Sequence, residues 1–252
     1  MASKIALVTG GSRGLGKDSA LQLAKKGFDL IITYQTKKEA ADEVVKEIES
    51  IGQKALALPL DISTTAGFDQ FVSAVQNVLD THFASAKLDA LVNNAGIGIN
   101  QSFETTIEET LDAMTNIHFK GPYFLTQKLL PLLNDGSSVV NTSSGLARFS
   151  FAGYSAYGAM KAAIDSLSRY QALELGSRKI RVNSIAPGAI ETDFGGGVVR
   201  DVADLNNHIS SETALGRVGL PDDIGSVVAF LCSDDSKWIN AQRIEVSGGF
   251  KI

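Results

Sequence analysis

Seven short apolar runs alternate along this chain with longer segments of helical period, and that alternation leaves few folds open. The runs are KIALVTG at 4–10, DLIITY at 29–34, KALALPLD at 54–61, LDALVNNAG at 88–96, SSVVNTSS at 137–144, IRVNSIAPG at 180–188 and RIEVSGG at 243–249. Between them helices are expected over 14–26, 37–50, 66–83, 106–133 and 221–233. The last begins with Pro221, Asp222 and Asp223, residue types that suit a helix N-terminus. Repeated β-α units of this kind wind helices over a parallel sheet. No linker or repeat interrupts the 252 residues, and the GGG at 195–197 is too short to separate domains, so one doubly wound α/β domain over 1–252 is expected.

Composition narrows the partners. A formal charge of −5 gives no basic footprint for nucleic acid or an anionic membrane, so a small-molecule partner is expected. The apolar stretch around IGSVVAFLC falls short of the roughly 18 residues of a membrane span. The opening MASKIALVTGG lacks a secretory h-region, and a soluble, cytoplasmic protein is expected. Cys232 is the only cysteine, which excludes an internal disulfide, and it reads as a buried apolar thiol. His82, His118 and His208 are scattered without metal-ligand spacing, so no metal site is expected.

The first run leads into TGGSRGLG at 9–16, with Gly10, Gly14 and Gly16 ahead of a helix. Such glycines let a diphosphate approach main-chain N–H groups at a helix N-terminus, which makes Gly10, Ser12, Arg13, Gly14, Leu15 and Gly16 candidate cofactor contacts. A carboxylate at the end of the second strand would favour a ribose 2′-hydroxyl and repel a 2′-phosphate. No acid occupies 31–38, while Arg13, Lys37 and Lys38 are nearby, so NADP(H) is favoured over NAD(H); Glu39 turning inward is the opposing reading.

TGGSRGLG, NNAG at 93–96, YGAMK at 157–161 and PGAIET at 187–192 occur in the order found in the short-chain dehydrogenase/reductase family, which the chain resembles over essentially its whole length. The resemblance implies a Rossmann-like, seven-stranded parallel sheet in a three-layer αβα arrangement, a nicotinamide cofactor and reversible carbonyl/alcohol chemistry. It assigns Tyr157 as proton donor and acceptor. Lys161, four residues on and therefore on the same helical face, is expected to lower the phenol's pKa and to bind the nicotinamide ribose. Ser143 and Ser144 point to opposite faces of their strand. The family places its substrate-binding serine thirteen residues before the tyrosine, which selects Ser144. Asn116 matches the asparagine that holds a water beside the lysine.

Matching motifs add Asp61 and Ile62 near adenine, Asn94, Ala95 and Gly96 along the groove, and Pro187, Gly188, Ile190 and Thr192 near the carboxamide. Asp61 also reads as a helix N-terminal acid, and Asn94 as an amide tying strands together. Phe149, Phe151, Tyr154 and Phe194 are candidates for an apolar substrate wall or for an interface, under a lid around 189–214 whose Gly195–Gly197 permit closure or merely end a turn.

The 3-oxoacyl-carrier-protein reductases within the family dock an acidic carrier through two arginines, and the matching positions here are Pro131 and Leu173. A free ketone or aldehyde is therefore favoured over a carrier-borne acyl chain. A cofactor-binding protein without turnover is the remaining class, and the complete Asn116, Ser144, Tyr157 and Lys161 set argues against it. The resemblance further implies a homotetramer, joined through helices around 106–133 and 154–176 and through the C-terminal strand and its helix.

Overall fold

Strands buried on both faces need apolar side chains at successive positions rather than at every second one, and the continuous runs of this chain meet that need. A computed structural model describes residues 3–83 and 87–252, so Met1 and Ala2 of the opening run lie outside the described residues. The strands are β1 (Lys4–Val8), β2 (Phe28–Tyr34), β3 (Ala55–Pro59), β4 (Leu88–Asn93), β5 (Leu133–Thr142), β6 (Arg181–Pro187) and β7 (Arg243–Val246). They form one parallel sheet in the order β3-β2-β1-β4-β5-β6-β7.

On one face, α1 (Gly14–Lys25), α2 (Lys38–Ile51) and α9 (Pro221–Cys232) cover Ala6, Val8, Leu30 and Ile32. On the other, α3 (Phe68–Thr81), α5 (Gly121–Leu129) and α6 (Ser155–Glu174) cover Ile5, Leu7, Ile31 and Leu91. Alternate residues of β1 thus feed opposite cores. Chain order reverses between β1 and β4, and the crevice beyond the carboxyl ends of these strands is where such sheets bind ligands.

The expected single helix over 106–133 is interrupted. It comprises α4 (Glu108–Thr115), a π-helical turn over Asn116–Lys120, α5, and a short 3₁₀ turn at Leu130–Leu132. Pro122 has no N–H to continue the α-ladder and its ring crowds the carbonyl four residues back, while Gly121 N–H reaches the Asn116 carbonyl instead. Strand β5 starts earlier than its run, at Leu133, and its register against β4 shifts between Leu88 and Ala90.

Between β6 and α9 the chain forms α7 (Val198–Asp201) and α8 (Ala203–Ser211), two short helices that the apolar pattern alone does not separate. They rest on a small third core of Ile209, Val218 and Phe250, with Phe149, Val199 and Leu205 against it. Among the described residues no helix is long and apolar enough to cross a membrane.

A buried amide ladder fixes the middle of the sheet to the helices that carry the crevice. Asn93 Nδ2 donates to Thr126 Oγ1 at 2.9 Å and to Asn141 Oδ1 at 2.8 Å. Asn141 Nδ2 in turn donates to Ser168 Oγ at 2.9 Å and Gln171 Oε1 at 3.0 Å. The ladder joins β4 and β5 to α5 and α6. Replacing Asn141 by leucine takes an acceptor from Asn93 and a donor from Ser168 and Gln171, and is expected to cost about 2–4 kcal/mol, read as a lower urea midpoint at unchanged m-value.

Candidate active site

The turn after β1 can exist only without side chains at its glycines. Gly10 has φ +67° and Gly14 φ +54°, in the left-handed region, and a Cβ on Gly16 would stand 2.1 Å from the Gly10 carbonyl oxygen. Thr33 Oγ1 accepts from Gly10 N–H at 3.1 Å, and Asn94 Nδ2 donates to the Thr9 carbonyl at 2.9 Å. Asn94 is therefore the amide that ties β4 to the turn. Helix α1 then starts at Gly14 with no side-chain cap and no acid in its first turn, so its N–H groups are left to an anion. These features fit a dinucleotide diphosphate.

Around the place where β2 ends, Arg13 is exposed at the α1 N-cap and Lys37 at that of α2. Lys38, by contrast, is engaged with Asp42 at 2.6 Å. Two cations, not three, remain available for a 2′-phosphate. Asp61 Oδ1 accepts from Ser63 N–H at 2.9 Å and Ser63 Oγ at 2.7 Å, closing a turn beyond β3, while Ile62 packs into the core with α5. Gly96 lies against His118, its neighbour Ala95 under the glycine turn. Past β6, Gly188 N–H bonds the Val246 carbonyl at 3.0 Å, Ile190 bridges to Gly219, and the Thr192 methyl stands beside Gly14, so Pro187 to Thr192 border the same crevice as the glycine turn.

Ser144, Tyr157 and Lys161 meet at this end of the sheet. Ser143 Oγ donates inward to the Lys161 carbonyl at 3.2 Å, and Ser144 on the opposite side accepts from Leu146 N–H at 3.2 Å with its hydroxyl facing the Tyr157 phenol. The Tyr157 phenol is buried, and burial raises its pKa well above the ordinary value; the facing Ser144 hydroxyl lowers it in part, and Tyr154 raises it further. Lys161 Nζ donates to the Thr142 carbonyl at 2.7 Å and stands 5.4 Å from the centroid of the Tyr157 ring, and burial dominates both groups. Burial pushes the Lys161 ammonium down to about 7, against a rise from Asp165.

Asp165, one turn beyond Lys161, is held elsewhere. Ser184 Oγ donates to it at 2.8 Å and Arg243 Nε at 3.0 Å. The same guanidinium donates to the Ser144 carbonyl at 3.0 Å and to Glu245 at 2.9 Å. Asn116 opens the π-helical turn and is half-buried, with no side-chain hydrogen bond among the described residues. Two residues on, His118 is buried with its ring edge-on to Tyr157, centroids 5.0 Å apart. Its scattered position in the sequence carried no motif; the one available signal was a histidine four residues ahead of a helix proline.

The aromatic candidates divide. Phe194 lies 5.7 Å from Tyr157 between ring centroids and covers Gly98, while Tyr154 stands 6.3 Å from Tyr157. Phe151 is next to Tyr154 and more exposed. Phe149 packs edge-on against Phe250 at 5.2 Å in the third core. Phe194 is followed by Gly195 (φ 62°, ψ 27°), Gly196 (φ 80°, ψ 16°) and Gly197 (φ 77°, ψ 11°), three successive left-handed residues.

Burial of Lys161 has a measurable consequence for stability. Its pKa is lower in the folded than in the unfolded chain, so between about 7 and the ordinary lysine value the unfolded state holds more protons and stability rises with pH. Lys161→Met is therefore expected to melt several degrees above the parent at neutral pH, with the gap narrowing towards pH 10, in thermal scans across that range.

The family model described as enoyl-(acyl carrier protein) reductase matches residues 10–251. The hydroxynaphthalene reductase-like protein Arp2 of Metarhizium brunneum is 36% identical over 261 residues, covering 99% of this chain and 95% of that protein. The reductase LugOII, described as catalysing keto-reduction at C1 during lugdunomycin biosynthesis, superposes with a TM-score of 0.93 at 33% identity over 98% of this chain and 97% of its own. The landomycin C-6 ketoreductase LanV, solved with NADP and rabelomycin, has a TM-score of 0.89 at 35% identity, covering 98% and 96%. With that agreement of sequence, sheet order and crevice, the chain belongs to the short-chain dehydrogenase/reductase family of oxidoreductases.

Proposed function

We propose that this protein reduces an apolar, ring-bearing ketone or aldehyde to its alcohol with NADPH, the reaction being reversible. The observation that carries the reading is the buried pair Tyr157 and Lys161 beside the half-buried Ser144 and under Phe194, at the same end of the sheet as the glycine turn. When bound, NADPH supplies the hydride to the carbonyl carbon. The turn from Gly10 to Gly16 would hold its diphosphate, Arg13 and Lys37 the 2′-phosphate, Lys161 the nicotinamide ribose, and Pro187 to Thr192 the nicotinamide end.

Ser144 offers its hydroxyl proton to the carbonyl oxygen and so turns that oxygen towards Tyr157. A phenol with a raised pKa keeps its proton in the resting site and yields it once negative charge develops on the oxygen. Tyr154 and Phe194 flank the place where the ketone would lie, which suits an aromatic substrate. Relatives with names that speak of hydroxynaphthalene, and the rabelomycin complex of LanV, support the same class. An acyl chain on an acidic carrier is the weaker reading: Leu173 is exposed and apolar, and Pro131 lies in a 3₁₀ turn, where carrier docking calls for cations.

We further propose a cytoplasmic homotetramer, in which the groove of about 510 Å³ between α5 and α6, lined by Phe119, Tyr123, Leu167 and Tyr170, meets a second copy.

A panel of ketones followed by NADPH and NADH absorbance tests the reading. Aromatic ketones are expected to turn over with NADPH favoured at least tenfold. Arg13→Ala should lower kcat/KM for NADPH by about 10- to 100-fold, the worth of a charge-assisted hydrogen bond, and barely change the value for NADH. Tyr157→Phe should lose at least about a hundredfold in kcat. Equal use of the two cofactors, or an active Tyr157→Phe protein, would overturn it.

A further inference from the structure

Next to Tyr157 lies a buried titratable side chain to which the reaction above gives no task. The π-helical turn carries His118 inward until it is 1% exposed. Its Nε2 lies 2.8 Å from the Ile97 carbonyl oxygen. A carbonyl only accepts, so Nε2 holds the ring proton and Nδ1 presents a lone pair. That Nδ1 is buried and without a hydrogen-bond partner among the described residues. Gly96 admits the ring to this position: a Cβ there would stand 2.7 Å from Cε1 and 3.2 Å from Nδ1. The charge of Lys161 reaches the same ring.

A buried acceptor left unpaired is costly, and a fold normally answers it with a partner or an internal water. Lys161 Nζ meets the mirror condition. It donates one hydrogen bond, to the Thr142 carbonyl, and has two further N–H directions. We infer that His118 is the positioning residue of the proton supply: Nδ1 accepts one O–H of a buried water and thereby holds the water's oxygen against Lys161 Nζ. The resemblance gives this task to Asn116. In this chain Asn116 opens the turn through its backbone carbonyl, and the turn then delivers the side chain of His118.

The inference rests on Tyr157 as proton donor. In each reduction the Tyr157 O–H bond breaks and its proton becomes the alcohol proton. The phenolate takes a proton from the Lys161 ammonium, and the neutral amine takes one from the water, which solvent replenishes. One solvent proton is consumed per turnover, and no electrons move along this path. His118 itself stays neutral, because burial first and the Lys161 charge second push its pKa down to about 3.

Two variants and one spectrum test this. His118→Phe keeps an aromatic edge against Tyr157 and removes both nitrogens, whereas His118→Asn restores an acceptor. With NADPH and the fastest ketone of the panel, His118→Phe is expected to lose about 10- to 100-fold in kcat and to show a larger solvent deuterium isotope effect. Its NADPH dissociation constant, from fluorescence titration, should stay within about twofold, and His118→Asn should recover most of kcat. Unchanged kcat and isotope effect in His118→Phe, or a His118→Asn no better than it, would overturn the inference. In the parent protein, ¹⁵N NMR of labelled histidine should show an unprotonated, hydrogen-bonded Nδ1 that does not titrate near neutral pH; a protonated Nδ1 would overturn it without recourse to turnover. Tyr157→Phe separates the two readings. If it stays active, the donor assignment falls; if it is inactive while His118→Phe is unimpaired, only the role of His118 falls.

Discussion

Among the described residues no carboxylate contacts the buried Lys161 ammonium, and much of the crevice is arranged around that fact. Its hydrogen-bond partner is a backbone carbonyl at the end of β5, while the nearest acid on its own helix, Asp165, is bound to Arg243 and Ser184. Pairing Asp165 with Lys161 would stabilise the ammonium and fix its proton. Burial pushes the lysine down to about 7, and Asp165, held by Arg243 and Ser184, raises it only in part. The same burial pushes the pKa of the phenol up and that of the imidazole down.

Holding these groups in register falls to the sheet. Consecutive residues at the end of β5 have separate duties: the Thr142 carbonyl receives the lysine, the Ser143 hydroxyl ties down α6, and Ser144 faces the crevice. Arg243, from the edge strand β7, grips the Ser144 carbonyl and the α6 carboxylate at once, so strand end and helix are clamped by one planar fork. The Asn93 and Asn141 ladder holds the same face of α6 one turn further on, at Ser168.

Much of this was legible in the sequence because it follows from local rules. Glycines without room for a Cβ, and a tyrosine and lysine four apart on one helix, announce themselves by spacing. The π-helical turn does not, since only the crowding around Pro122 breaks the helical period, and with it His118 was lost among three scattered histidines. Arg243 reaches Ser144 across 99 positions of sequence, which no periodicity encodes. Spacing brings a cation near the phenol, but how deeply burial acts on it is visible only in the packed structure. Asn94 carried two readings, and its bond to the Thr9 carbonyl shows the structural one in force.

Gly195, Gly196 and Gly197 place a short piece of mirror-handed backbone next to Phe194. Inverted in sign, their dihedral angles are those of an ordinary right-handed turn, so D-amino acids would fit where L-residues are penalised by roughly 1–2 kcal/mol each. Ribosomal synthesis reaches this shape only through achiral residues, and these lose the most backbone freedom on ordering. Semisynthesis with D-alanine at 196 would preserve the shape while removing part of that freedom, separating the contribution of the turn's form from that of its looseness.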